Sequence, residues 1–207
     1  MFISPRHLSF AAPSKPLEEW ETELLVELFQ ARTDGWHLEV ADRCINGWQN
    51  EQGEQCIHSR HLDGRPTHHV PDSGWAVLQI VLNYFETIAF FKSGGTIKKS
   101  FELFTWGVFN VFPEYEGKRP NIAKHLYSDL RNGLHHGGIN KGKTVLRHTI
   151  DSKPIEAEET TGIVVIDPHR FIPRLKQHLN DYCAELLNRD NEDARQKFRT
   201  AFFAKYS

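Results

Sequence analysis

The stretch from Ser73 to Lys92 constrains this chain more than any other. Trp75, Val77, Leu78, Ile80, Val81, Leu82, Tyr84, Phe85, Ile88, Phe90 and Phe91 leave little of a helix circumference polar. A helix apolar on nearly every side has to be surrounded by protein. Ser73 suits its N-cap, and Ser93-Gly94-Gly95 ends it. The remaining chain can supply the surroundings: 207 residues, 39% hydrophobic, with 14 Phe and 5 Trp, are enough for a substantial core in one domain or one and a half.

The other segments read mostly as helices. Residues 1–16 form an irregular lead-in broken by Pro5, Pro13 and Pro16, with Ser14 a cap for the helix that follows. Leu17, Trp20, Leu24, Leu25, Leu28 and Phe29 make one apolar stripe, and Asp34-Gly35 is expected to break it. Trp36, Val40, Ile45 and Trp48 predict a second helix, and residues 50–72 a polar loop with Gly53, Gly64, Pro66 and Pro71. A helix over 97–112 is expected to turn Phe101, Phe104, Val108 and Phe109 inward. At 144–150 and 162–166 the period changes to two, which predicts short strands joined through the acidic, polar residues 151–161. Asp167-Pro168 then opens a helix carrying Phe171, Leu175, Leu179, Tyr182, Leu186 and Leu187. A charged terminal helix is anchored by Phe198, Phe202 and Phe203. The fold class is therefore all-α, a helical bundle with a small β-hairpin at about 144–166. Residues 1–72 are an N-terminal helical extension and polar loop, packed on a domain spanning 73–207.

The chemistry concentrates in Arg131-Asn132-Gly133-Leu134-His135-His136. Ile122, Leu126, Leu130 and Leu134, flanked by Ala123 and Tyr127, place this run late in an amphipathic helix. Pro120 can start that helix and Gly137-Gly138 can end it. Gly133 costs the helix roughly 1 kcal/mol relative to Ala, which a close approach by a backbone or ligand would justify. At α-helical spacing Arg131 shares a face with His135, and Asn132 with His136, each pair about 40° apart, while Arg131 and His136 lie about 140° apart. A guanidinium holds phosphate oxygens in pairs, and an imidazole exchanges protons near neutral pH.

This run resembles the Arg-x4-His signature of HEPN domains, with Asn132 as the polar residue that often follows the Arg. The resemblance covers residues 73–187, and the order of signature helix, small hairpin and long helix is similar to that of some HEPN subfamilies. It implies a helical bundle that pairs as a homodimer, bringing the Arg and His of two chains into one composite site. It further implies a metal-independent endoribonuclease of a toxin or defence type, with no cofactor. Arg131, Asn132 and His136 would be the catalytic residues, His135 an alternative to His136, and Glu86 and Tyr127 supporting ones. A toxin of this kind implies a nucleotidyltransferase-type antitoxin as partner. HEPN modules without catalysis also exist, so the resemblance equally covers a module that binds RNA, a nucleotide or a partner protein, or a purely structural dimerisation domain.

Composition bounds these readings. A net charge near −2 gives no global attraction to nucleic acid, so RNA would need a local patch. Lys98, Lys99, Lys118, Arg119, Lys124, Lys141, Lys143 and Arg147 could line one or be ordinary solvated surface. Cysteines at 44, 56 and 183 are too few and scattered for a disulfide framework. Neither a signal peptide nor a run of 18 uncharged apolar residues is visible, so a cytoplasmic location is expected. Cys56, His58, His61, His68 and His69 fit no standard zinc spacing and read as a solvated loop or an irregular metal site. Glu86 sits alone in the most apolar helix and either pairs with Arg131 or occupies a narrow solvent-facing strip.

Overall fold

The computed structural model describes residues 16, 19–46, 48–49, 55–56, 74–118, 121–133, 142–147 and 153–206, with the backbone alone at 46, 48–49 and 55–56. In chain order the helices are α1 (Thr22–Thr33), α2 (Glu39–Asn46), α3 (Gly74–Val81), α4 (Asn83–Lys92), α5 (Ser100–Val111), α6 (Ile122–His125), α7 (Pro168–Leu187) and α8 (Glu192–Tyr206). The strands are β1 (Trp48–Gln49), β2 (Gln55–Cys56), β3 (Thr144–Leu146), β4 (Ile155–Ala157) and β5 (Val164–Ile166). The fold is mostly helical with a small three-stranded sheet. A second, two-stranded sheet pairs β1 antiparallel with β2, which corrects the expected helix at Trp48 and the expected loop at 55–56. The chain forms two compact units. Unit 1 holds the described residues within Met1–His37, Asn83–Glu116 and Leu175–Ser207, and unit 2 those within Leu38–Leu82 and Gly117–Arg174. The boundary expected between residues 72 and 73 lies outside the described residues.

The apolar stretch is helical throughout, but as two helices meeting at Leu82. Leu82 keeps a helical N–H···O bond to Leu78 at 2.9 Å. By length and composition, Gly74–Lys92 could cross a membrane, with mean hydropathy 1.3, yet 56% of that window is buried within the protein.

In unit 1, α4 packs against α5 and α8, and α1 against α8. Tyr84, Phe85, Ile88, Ala89 and Phe91 are the buried residues of α4, and each large side chain among them contributes about 1.5–3 kcal/mol on burial. Phe91 lies 4.6 Å from Phe29 of α1 and 5.4 Å from Phe198 of α8, ring centre to ring centre. Phe202 adds to this cluster 5.7 Å from Phe198, so these two anchor the terminal helix as expected, whereas Phe203 is only half-buried, under Arg199. On α5, Phe104, Gly107, Val108 and Val111 face inward. Phe101 does not: it is exposed, as is Trp106, and Phe109 is half-buried. The inward stripe is set by Gly107, where a Cβ would fall 2.0 Å from the carbonyl oxygen of Phe85 and 2.9 Å from its Cα. The α4 and α5 backbones are in contact there.

Asp34-Gly35 does not end the first helix. The backbone passes from α1 through a π-helical turn, Asp34–Leu38, directly into α2. A π turn closes its rings from i to i+5 and so shifts the buried face by one residue. Leu38 and Ala41 are consequently buried, and Trp36 and Val40 are 45% and 41% exposed, which corrects the expected stripe.

In unit 2, α2 packs on α3, and β3, β5 and β4 form one sheet in that spatial order. The expected hairpin is corrected twice. β3 and β5 pair parallel, Thr144 opposite Val164, and the segment expected to be a loop contributes β4, antiparallel to β5 with Ile155 opposite Ile166. A parallel pair needs a crossover, and β4 lies within that connection. At the start of α7 the buried Asp167 accepts the His169 N–H at 3.0 Å, a cap that bears out the reading of Asp167-Pro168. Phe171 of α7 is buried as predicted; in the part of α7 that belongs to unit 1, Leu175, Leu179, Tyr182 and Leu186 are buried as predicted and Leu187 is exposed. In unit 1, burial also pushes the Cys183 thiol up to about 12, which keeps it protonated at neutral pH.

Gly107→Ala supplies a test with an informative sign. In an ordinary helix the change stabilises by roughly 1 kcal/mol. Here the methyl group meets backbone, and overpacking of this kind costs roughly 1–3 kcal/mol or more. A urea midpoint below that of the parent chain is the expected result, and a rise would show that the two helices are not in contact.

Candidate functional site

The signature segment starts at Ile122, two residues later than Pro120 would place it. Asn121 is the N-cap, its Oδ1 accepting the Lys124 N–H at 3.0 Å. Ile122, Ala123, Leu126 and Leu130 are buried, as the apolar stripe requires. The helix is α over Ile122–His125 and π over Leu126–Arg131. Asn132 donates its N–H to the Tyr127 carbonyl, five residues back. This turn lies in unit 2, where it packs against α3 and β3. π turns inside α-helices recur at functional sites because they re-aim side chains. The angles expected from a 3.6-residue turn therefore do not apply across Leu126–Arg131.

The re-aimed group is Arg131. Its guanidinium carbon sits 5.3 Å from the centre of the Tyr127 ring, a cation–π contact. Its Nη1 donates to Asn132 Oδ1 at 3.3 Å. Both residues are half-buried. Tyr127 thus supports Arg131 physically, and Asn132 holds the fork from the side. Gly133 is buried at the end of the described segment, while Leu134, His135, His136 and Gly137-Gly138 lie outside the described residues.

One constellation here is absent from the sequence reading. His125 Nδ1 lies 2.9 Å from Asp129 Oδ2. The Ser128 hydroxyl lies 2.9 Å from Asp129 Oδ1 and 2.7 Å from the Lys124 carbonyl oxygen, its single proton serving either acceptor. Gly142 backs onto the same carboxylate: a Cβ there would fall 1.9 Å from Asp129 Oδ2. The chain therefore returns, after the segment carrying both histidines, to a point set by Asp129. The spacing of His125 and Asp129, one helical turn apart, is visible in the sequence, but Gly142 reads there as one more loop glycine.

Glu86 belongs to unit 1, where it is half-buried and accepts a hydrogen bond from the Ser100 hydroxyl at the start of α5. Arg131 belongs to unit 2. Several of the basic residues are engaged locally: Lys98 with the Gly95 carbonyl at 2.6 Å, Lys99 with Glu102 at 2.9 Å, Lys143 with the Thr161 carbonyl at 2.5 Å and Arg147 with Glu156 at 3.2 Å. Arg119, Lys141, His58, His61, His68 and His69 lie outside the described residues, and Cys56 is described by its backbone alone. Among the described residues no group of three or more His, Cys, Asp and Glu is placed to hold a metal. Comparison with family models, with curated proteins and with solved structures finds no match.

The close approach of Gly142 to Asp129 is testable by a double-mutant cycle. Gly142→Ala should destabilise the chain by roughly 1–3 kcal/mol through overpacking. In an Asp129→Ala background the same change should cost much less, since the atoms it meets are gone. Equal costs in both backgrounds, measured by urea unfolding, would rule the contact out.

Proposed function

We propose that this chain is a HEPN-like, metal-independent endoribonuclease whose active site is built on Arg131, Asn132 and the histidines that follow. The observation that carries this reading is the guanidinium of Arg131, held between the Tyr127 ring and the Asn132 carboxamide at the end of a π turn. A guanidinium fixed in this way is preorganised for a phosphate, because less side-chain freedom is lost on binding. It precedes by four and five residues the two imidazoles needed for proton transfer.

The chemistry is transesterification. An imidazole, His136 or else His135, takes the proton of a ribose 2′-hydroxyl as its oxygen attacks the adjacent phosphorus. A 2′-O–P bond forms, the P–O5′ bond breaks, and the leaving 5′ oxygen receives a proton. Arg131 stabilises charge on the non-bridging oxygens, with Asn132 orienting the phosphate or the imidazole. Two chains paired about a two-fold would contribute the same residues twice, as an isologous interface does. The engagement of Arg131 with Tyr127 and Asn132 supports a second reading as well: a non-catalytic module that captures a phosphate group of RNA or a nucleotide and stops there.

Single-stranded RNA incubated with the protein in excess chelator should yield fragments ending in a cyclic phosphate, and DNA should stay intact because it lacks the 2′-hydroxyl. His136→Ala should slow cleavage by about 10²–10⁴-fold, and Arg131→Ala should also slow it without unfolding the helix. Loss of activity in His135→Ala alone would move the general base by one residue. Intact RNA with the parent chain, but Arg131-dependent binding of it, would establish the non-catalytic module.

A further inference from the structure

Unit 1 carries a group of cations away from the signature segment. Arg32, at the end of α1, lies with its guanidinium carbon 5.2 Å from the Trp36 ring centre and 5.2 Å from that of Tyr206 on α8. Lys205, beside Tyr206, has its ammonium 5.7 Å from the ring of Phe90 on α4. His37 follows Trp36 on the π turn. Burial and then the neighbouring Arg32 hold Lys205 below the usual lysine range. Burial and then Lys205 do the same for His37. Arg32 and Lys205 therefore feel one another, while His37 is held as the neutral imidazole at neutral pH, and among the described residues Lys205 has no carboxylate partner. Bringing like charges together costs free energy that an anion placed between them would recover. Trp36 stands at the edge of this group, 45% exposed. Arg32 lies over its ring, and the exposed remainder is accessible to a flat ligand.

We propose that Arg32 and Lys205 form a phosphate-binding patch and that Trp36 stacks a base beside it, so that the group grips a short segment of single-stranded nucleic acid. A positive groove with an aromatic platform is the arrangement that binds such strands without reading their sequence. The anionic alternatives lack a use for Trp36. Tripolyphosphate has no ring to stack, and an acidic peptide brings carboxylates without bases. That the strand is RNA rests on the nuclease reading; the patch itself stands on unit 1 alone.

The test is binding of fluorescent dodecauridylate to the full-length Arg131→Ala chain, which lacks the signature guanidinium. Saturable, salt-sensitive binding is expected. Lys205→Gln should weaken it and lower the slope of log affinity against log salt by about one. Trp36→Ala should weaken it roughly 5–150-fold, and Trp36→Phe should restore most of the loss, which separates stacking from misfolding. No binding, or an affinity indifferent to Trp36 and Lys205, would overturn the site. So would displacement of the oligonucleotide by tripolyphosphate or hexaglutamate at equal charge, which would make it a general anion patch. Binding through Trp36 with no RNA cleavage by the parent chain would leave this site standing and remove the nuclease reading. Cleavage of RNA with binding unaffected by Trp36→Ala would do the reverse.

Discussion

A helix that is apolar on nearly every side must be enclosed, and residues 74–92 impose that demand on the rest of the chain. Each half is enclosed by its own set of elements. α4 is covered by α5 and α8, with α1 completing the aromatic cluster of Phe29, Phe91 and Phe198. α3 is covered by α2 and by the π turn that carries Arg131. The candidate site is thus fastened to the strongest hydrophobic element in the sequence. That matters for any chemistry at Arg131, because a guanidinium is only as well positioned as the backbone beneath it.

Two departures from regular helix geometry place the polar groups that carry the functional argument. The first π turn exposes Trp36 and buries Leu38, and the second aims Arg131 over Tyr127. In each case one extra residue in the turn changes which side chains share a face. Both groupings pair a cation with an aromatic ring, and both lie where a strictly α-helical chain would have presented other residues. The Asp129 carboxylate adds a second kind of constraint, since it meets His125 from its own helix and Gly142 from the returning chain.

The parts legible in the sequence were those governed by repeated burial. Ile122, Leu126 and Leu130 recur every four residues, and burial of all three followed. Phe171 to Leu186 and Phe198 with Phe202 were readable for the same reason. Local capping was readable too: Asp167 before Pro168 announced a helix start that the His169 N–H confirms. The π turns were not, because nothing in the composition of Asp34–Leu38 or Leu126–Arg131 distinguishes i→i+5 from i→i+4 bonding. Strand direction was also hidden. Alternation at 144–146 and 164–166 marks two strands but is blind to whether they run parallel, and β4 shows only Ile155 and Ala157 in a polar setting. Of the candidate site, the Arg131–Asn132 neighbourhood was legible as a motif, and the Tyr127 contact emerged only once the backbone was placed.

Gly107 and Gly142 are both closed to a side chain, yet they differ in how freely the sequence around them can drift. At Gly107 the obstructing atoms are the carbonyl oxygen, carbonyl carbon and Cα of Phe85, which every residue possesses. No change of side chain at position 85 makes room, so a mutation there has no simple second-site suppressor. At Gly142 the obstruction is the carboxylate of Asp129, which a smaller residue would remove. Glycine at position 107 is thus demanded by backbone atoms alone. Position 142 is conditional, tied to whatever occupies 129, and the two should vary together or not at all.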